Sequence, residues 1–318
     1  MNAIEANGLT RYYGSLCAVD HLDLAVNNEI FALLGPNGSG KTTTVLMLTT
    51  LLHITEGTAS VCGFDVLTQG SEVRRRLSYV PQDMAVDIKL TGRENVLFFA
   101  HLYGIPRPRD KTDEVLAVMD LSDRADDLIR TYSGGMRRRL ELAQALVHEP
   151  AVLFLDEPTI GLDVAARRKI WEHIGKLRKS GMTIFVTTHY MDEADQYCDR
   201  VGIISKGRTV ATGTPGELKA RLMKDIIMVT VAGPFAAPDV PGVALLTQSG
   251  DGATFTAENG KEALPLLLNA LARNGTNVRS VSLREPTLDD VFLHAVGTPD
   301  DSGAFDYQRF RTMLRRRK

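Results

Sequence analysis

The sequence predicts an α/β fold with a largely parallel sheet, interrupted by a helical insertion and followed by a small α+β domain. Three observations carry this. Short apolar runs alternate with helical patterns over roughly the first 220 residues, as strands buried on both faces and joined by crossover helices would. Between Asp87 and Pro150 the pattern turns mostly helical. Beyond about Leu222, short strand candidates separated by Pro, Gly and Asp turns replace it.

Taken in order, Ile30-Phe31-Ala32-Leu33-Leu34 is a buried strand that ends at a Gly-rich turn. Residues 41–52 follow without Pro or Gly, with apolar Val45, Leu46 and Leu48, and predict a helix despite their threonines. Residues 94–103, 111–119 and 136–148 are amphipathic helices of the insertion, with loops at Gly104-Ile105-Pro106 and Ser133-Gly134-Gly135. Residues 151–155 and 183–187 are further buried strands. The helix at 164–178 carries Trp171, the sole tryptophan, as a packing residue. Strands at 226–231, 243–247 and 253–257, a helix at 261–273, a strand at 278–283 and a helix at 287–295 complete a β-β-β-α-β-α run. The expected domains are 1–221, with its helical part at about 87–150, then 222–297, then a basic tail at 298–318.

Composition narrows the function classes. Apolar residues at 44% against 24% charged offer enough core to exclude disorder as the main state. With 37 basic and 39 acidic residues the net charge is −2, which counts against a strongly basic nucleic-acid binder. Cys17, Cys62 and Cys198 have neither metal-ligand spacing nor even number, so a reducing compartment is expected. No run of eighteen apolar residues predicts a membrane span, and the start, with Glu5 and no basic-then-apolar pattern, does not read as a secretory signal. The expectation is a cytosolic protein whose membrane role, if any, comes through a partner.

The chemistry concentrates in two places. Gly35-Pro36-Asn37-Gly38-Ser39-Gly40-Lys41-Thr42 fits the phosphate loop G-x-x-x-x-G-K-[ST], entered by a strand and left by a helix, with Thr43 beside it. Its glycines let backbone N–H groups face phosphates, Lys41 reaches the β- and γ-phosphates, and the Thr42 hydroxyl is a Mg²⁺ ligand. Val152-Leu153-Phe154-Leu155-Asp156-Glu157 puts two acids at the ligand-binding edge of the sheet. Asp156 is expected to hold Mg²⁺, and Glu157 to polarise an attacking water.

With these residues in place, the chain resembles the ATP-binding-cassette (ABC) ATPases. Tyr132-Ser133-Gly134-Gly135-Met136 is similar to that family's LSGGQ signature, with Tyr132 in place of Leu and Met136 in place of Gln. Glu157-Pro158-Thr159-Ile160-Gly161-Leu162-Asp163 resembles its Walker-B exit and D-loop, Tyr79-Val80-Pro81-Gln82 its Q-loop, and Thr187-Thr188-His189 its switch histidine. Tyr13 matches the aromatic that stacks on adenine, with Tyr12 as the fallback. The motifs cover about residues 4–215. Tyr132 to Leu140, Leu90 to Asn95 and Glu285 to Phe292 resemble the daunorubicin-resistance branch of exporters.

The resemblance implies a P-loop NTPase (RecA-like) fold with an antiparallel β subdomain, and ATP with Mg²⁺ as cofactors. It implies a homodimer closing head to tail on two ATPs, in which Ser133, Gly134 and Gly135 complete the partner's γ-phosphate site. Gln82 would touch Mg²⁺ or the water, His189 would contact the γ-phosphate and support Glu157, and Asp163 would communicate across the dimer. The implied function is the ATPase subunit of an ABC-2 exporter of a drug-like or lipid-like substrate, at the cytoplasmic face of the membrane beside a separate permease. The alternative is a soluble cassette ATPase acting on ribosomes or DNA; such chains usually carry two cassettes, long coiled coils or zinc modules, and no nucleic-acid partner is expected here. The 222–297 domain is expected to serve dimerisation or regulation by packing. The Arg74-Arg75-Arg76 and Arg137-Arg138-Arg139 runs are expected on solvated helix faces, with Glu72 and Glu141 as pairing partners.

Overall fold

The computed structural model describes residues 2–221, 225–233 and 235–296. The predicted basic tail lies outside them. The chain divides after Thr214 into two compact units.

In the first unit, an antiparallel sheet runs Leu16–Val26, Ile4–Tyr13, Glu56–Val61, Phe64–Asp65. A second sheet has six strands in the order Arg208–Gly213, Arg200–Ser205, Ile30–Leu34, Thr183–Thr188, Val152–Asp156, Leu77–Val80. Its pairings are parallel except for the Arg208–Gly213 edge. Every residue of Ile30–Leu34, Val152–Asp156 and Thr183–Thr188 is buried, which is why these segments read as unbroken apolar runs. Phe185 lies between Phe31 and Phe154, with centroids 5.5 and 5.3 Å away. The two sheets share a core with Ile4, Leu9, Leu22, Val45, Met47 and Leu48.

The helix after the phosphate loop is shorter than expected. It spans Lys41–Leu48, because the Thr49 hydroxyl donates to the Val45 carbonyl at 2.8 Å and Thr50 takes a left-handed φ of +64°. The insertion helices Gly92–Leu102, Pro108–Val118 and Gly134–Leu146 begin upstream of their apolar patterns, where their caps are. Thr91 and Glu94 form a reciprocal capping box, Pro108 occupies the first turn, and Ser133 accepts the Met136 N–H at 3.2 Å.

The second unit holds an antiparallel sheet in the order Val243–Ser249, Gly252–Ala257, Asp225–Val231, Val278–Arg284. The helix Gly260–Arg273 buries Ala263, Leu267 and Leu271 with Ile227, Val229 and Phe255 of that sheet. In the first turn of the helix Leu288–Val296, Asp290 accepts from the Thr287 N–H at 2.8 Å and from both terminal nitrogens of Arg284. Burial pushes the Asp290 carboxyl up, but these donors outweigh it and hold it below the ordinary range. Its stabilisation is therefore complete above the unfolded value of about 3.9 and is lost as pH falls through the lower folded value. Asp290→Ala is expected to cost about 1–2 kcal/mol at neutral pH. Urea denaturation of parent and variant should show that gap at pH 7, narrowing as the medium is acidified below about 3.9; equal stability at pH 7 contradicts it.

Candidate active site

Parallel register brings four loops to one edge of the six-stranded sheet. Leu34 is paired with Thr188, Asp156 with Thr187, and Val80 with Leu155, so Gly35, His189, Glu157 and Gln82 all leave the same ends of their strands. At Gly35 a Cβ would lie 2.4 Å from the Ile204 carbonyl oxygen and 2.5 Å from the Ser39 hydroxyl, so no larger residue fits. Gly40, with φ +106°, lies against the Ala18 carbonyl in the same way. The Ser39 hydroxyl is buried without a hydrogen-bond partner among the described residues. Lys41 is 5% exposed, and its Nζ donates to the Gly35 and Pro36 carbonyls at 2.8 and 3.1 Å. Desolvation pushes the Lys41 ammonium down, against the opposing pull of Glu157 and Asp156.

The acids are held by the neighbouring strand. The Thr187 hydroxyl donates to Asp156 Oδ1 and accepts the Glu157 N–H at 3.1 Å, while the Thr187 carbonyl accepts the same N–H at 3.0 Å. Glu157 adopts a left-handed φ of +47°, which costs a side chain of this kind about 1–2 kcal/mol. Its carboxylate lies 3.8 Å from Lys41 Nζ and 3.1 Å from His189 Nδ1, the latter off the line of a hydrogen bond. Burial pushes the Glu157 carboxyl up, yet His189 and Lys41 outweigh it and hold it below the usual range. The result is an ionised, buried carboxylate beside the lysine of the loop.

Lys41, Asp156, Glu157 and His189 thus converge. Gln82 is exposed at the next strand end and lines a small cleft with Met84, Arg138, Pro158, Ile160 and Leu162. Tyr13 stands apart at a hairpin tip, 45% exposed, with the Arg11 guanidinium 5.0 Å from its ring centroid. Ser133 and Gly134 are exposed at the start of the Gly134–Leu146 helix. A Cβ at Gly135 would come within 2.9 Å of Ala166, in the first turn of the helix Val164–Lys179. Asp163 caps that helix by accepting the Ala166 N–H at 2.8 Å. Tyr132 is buried and donates to the Arg124 carbonyl at 2.6 Å, filling the space against Gly92. The Met136 backbone N–H is donated to the Ser133 hydroxyl at 3.2 Å.

The solvated-face reading of Arg137-Arg138-Arg139 is corrected by the structure. Arg138 is 2% exposed, its guanidinium bonded to three main-chain carbonyls and to Glu141, itself buried. Arg139 donates to the Met119 and Asp120 carbonyls. The signal lay in helical spacing: Arg138 precedes buried Glu141 and Leu142 by three and four residues, so all three share one face. Arg75 and Arg76 do pair with Glu72, at 3.0 and 2.8 Å. Sequence reasoning gave no role of their own to Thr187 and Tyr190. The Tyr190 ring centroid is 4.2 Å from the Arg167 guanidinium and 4.2 Å from the centroid of the His189 imidazole.

Residues 19–160 match the family described as ABC transporter, and residues 213–296 match "ATP-binding protein DrrA1-3-like, C-terminal domain". The chain is 43% identical to a daunorubicin resistance ATP-binding protein of Streptomyces coeruleorubidus, covering 93% of this chain and 96% of that one. It is 35% identical to a linearmycin resistance ATP-binding protein of Bacillus subtilis, covering 92% and 98%. A solved structure of cbiO1 from Clostridium perfringens, part of an ABC transporter complex, superposes with TM-score 0.65 at 26% identity over 70% of this chain and 92% of that one. The chain belongs to the ABC transporter family, as one of its ATP-binding, ATP-hydrolysing subunits.

Proposed function

We propose that the chain powers export of a drug-like or lipid-like substrate through a separate ABC-2-type permease, as a homodimer at the cytoplasmic face of the membrane. The observation that carries this is the reach of the similarity: it runs through the second unit as well as the first, to relatives named for resistance to daunorubicin, doxorubicin and linearmycin. Among the described residues no helix is long and apolar enough to cross a membrane, so the path for the substrate is assigned to another chain.

In this reading ATP sits with its phosphates in the Gly35–Thr43 loop, where glycine backbone, the partnerless Ser39 hydroxyl and Lys41 favour an anion. Thr42, Asp156 and Gln82 would hold Mg²⁺; hydroxyl, carboxylate and amide oxygens beside phosphate fit a hard cation. That ion would supply charge neutralisation on the phosphates. Glu157 orients the attacking water. A carboxyl held below its usual range is ionised at neutral pH but weakly basic, which suits a loose phosphoryl-transfer transition state needing little early proton removal. His189 contacts the γ-phosphate, Tyr13 stacks on adenine, and Ser133, Gly134 and Gly135 act on the partner's ATP, with Asp163 at the dimer contact.

Affinity purification of the full-length chain from its native membrane tests the class. A polytopic membrane protein in the eluate, retained with ATP present, is expected. Ribosomes or DNA in its place would favour the non-transport reading.

A further inference from the structure

One buried ion pair grips both loops that flank the proposed chemistry. Arg138 Nη1 donates to the Pro81 carbonyl at 2.7 Å and to Glu141 Oε2 at 2.9 Å. Nη2 donates to the Asp156 carbonyl at 3.1 Å, and Nε to the Pro158 carbonyl at 3.0 Å. Glu141 completes the grip: its Oε1 accepts the Ala85 N–H at 2.7 Å. Pro81 and Ala85 bracket Gln82, and the Asp156 and Pro158 carbonyls bracket Glu157. A left-handed glutamate persists where its surroundings over-determine it, and two of those restraints come from this guanidinium. Only a planar fork with fixed donors can satisfy three main-chain carbonyls and a carboxylate at once; a lysine ammonium cannot.

We propose that Arg138, braced by Glu141, is a positioning residue that locks the Gln82 segment to the Glu157 turn, so that Glu157 is aligned for hydrolysis only while that segment is seated. This rests on the reading of Glu157 as the group that orients water. The phosphate loop makes none of these bonds, so loosening the fork leaves the loop's own hold on the phosphates in place and acts on the chemical step.

The test is ATP hydrolysis and equilibrium ATP binding by the full-length chain carrying Arg138→Lys or Arg138→Gln, each alone and combined with Glu157→Gln. Arg138→Lys is expected to lower kcat about tenfold and Arg138→Gln up to about a hundredfold, the scale of a 1 Å misplacement. ATP affinity measured without Mg²⁺ should stay within about twofold. In the Glu157→Gln background neither change should lower the residual rate further, because both act through one group. Should Arg138→Gln fail to fold, Arg138→Lys carries the test, since it keeps the charge beside Glu141. A parental kcat in Arg138→Lys, a loss confined to Mg²⁺-free ATP affinity, or full additivity with Glu157→Gln overturns the proposal alone. Normal turnover in Glu157→Gln by itself overturns the reading beneath it as well.

Discussion

Glu157→Gln is expected to lower ATP turnover at least about a hundredfold, the size of effect that follows loss of a positioned acid–base group. The amide keeps the shape of the side chain and the backbone N–H bonds to Thr187, so folding and nucleotide binding should survive. What it removes is the negative charge between Lys41 and His189. ATP that binds but is not cleaved should hold two chains together, so gel filtration with ATP should show a dimer that the parent forms only transiently. The pH profile supplies a second readout. Because His189 and Lys41 hold the folded carboxyl below its usual value, the ionised form persists as pH falls to about 4.3 and is lost only below it. Any acid limb of the parent's activity well above that pH must therefore come from another group. Near-parental turnover in Glu157→Gln would remove Glu157 from the chemistry.

The parts of the fold legible in the sequence are those where one physical requirement dominates. Ile30–Leu34, Val152–Asp156 and Thr183–Thr188 are buried on both faces, so only apolar or small residues fill them before the strand ends. Lys41, Asp156 and Glu157 are legible because parallel strands deliver whatever follows them to one edge, whereas His189 stands out only through the family resemblance. Boundaries were less legible, since caps such as Thr91 and Ser133 stand outside the apolar pattern that announces a helix. The basic triplet masks Arg138, whose only sequence mark is its spacing from Glu141 and Leu142. Whether a charge faces water or main-chain carbonyls depends on the turns at Pro81 and Pro158, which are 57 and 20 residues away in the chain. The left-handed φ of Glu157 has no sequence mark either; it follows from the hydrogen bonds of Thr187 and Arg138 around it.

Lys41→Ala should act at the other end of the cycle, on binding. The ammonium is buried, makes two hydrogen bonds to loop carbonyls, and is desolvated enough that its charge is already under strain. Phosphate oxygens are far better acceptors for it than neutral carbonyls, and a bond to a charged group contributes roughly 1.5–3 kcal/mol. Loss of one or two such bonds predicts ATP binding weaker by at least about tenfold to a hundredfold, since each 1.4 kcal/mol is a factor of ten. The nucleotide-free fold should also lose some stability, because the change takes the Lys41 counterion from the buried Glu157 carboxylate and leaves it His189 alone. Thermal melting separates the two effects. ATP at about 100 times the parental Kd should stabilise the parent by about 2.7 kcal/mol and the variant by far less, each compared with its own nucleotide-free melt. An ATP-induced shift equal to the parent's would mean that Lys41 does not reach the phosphates, and that the Gly-rich loop binds by its backbone alone.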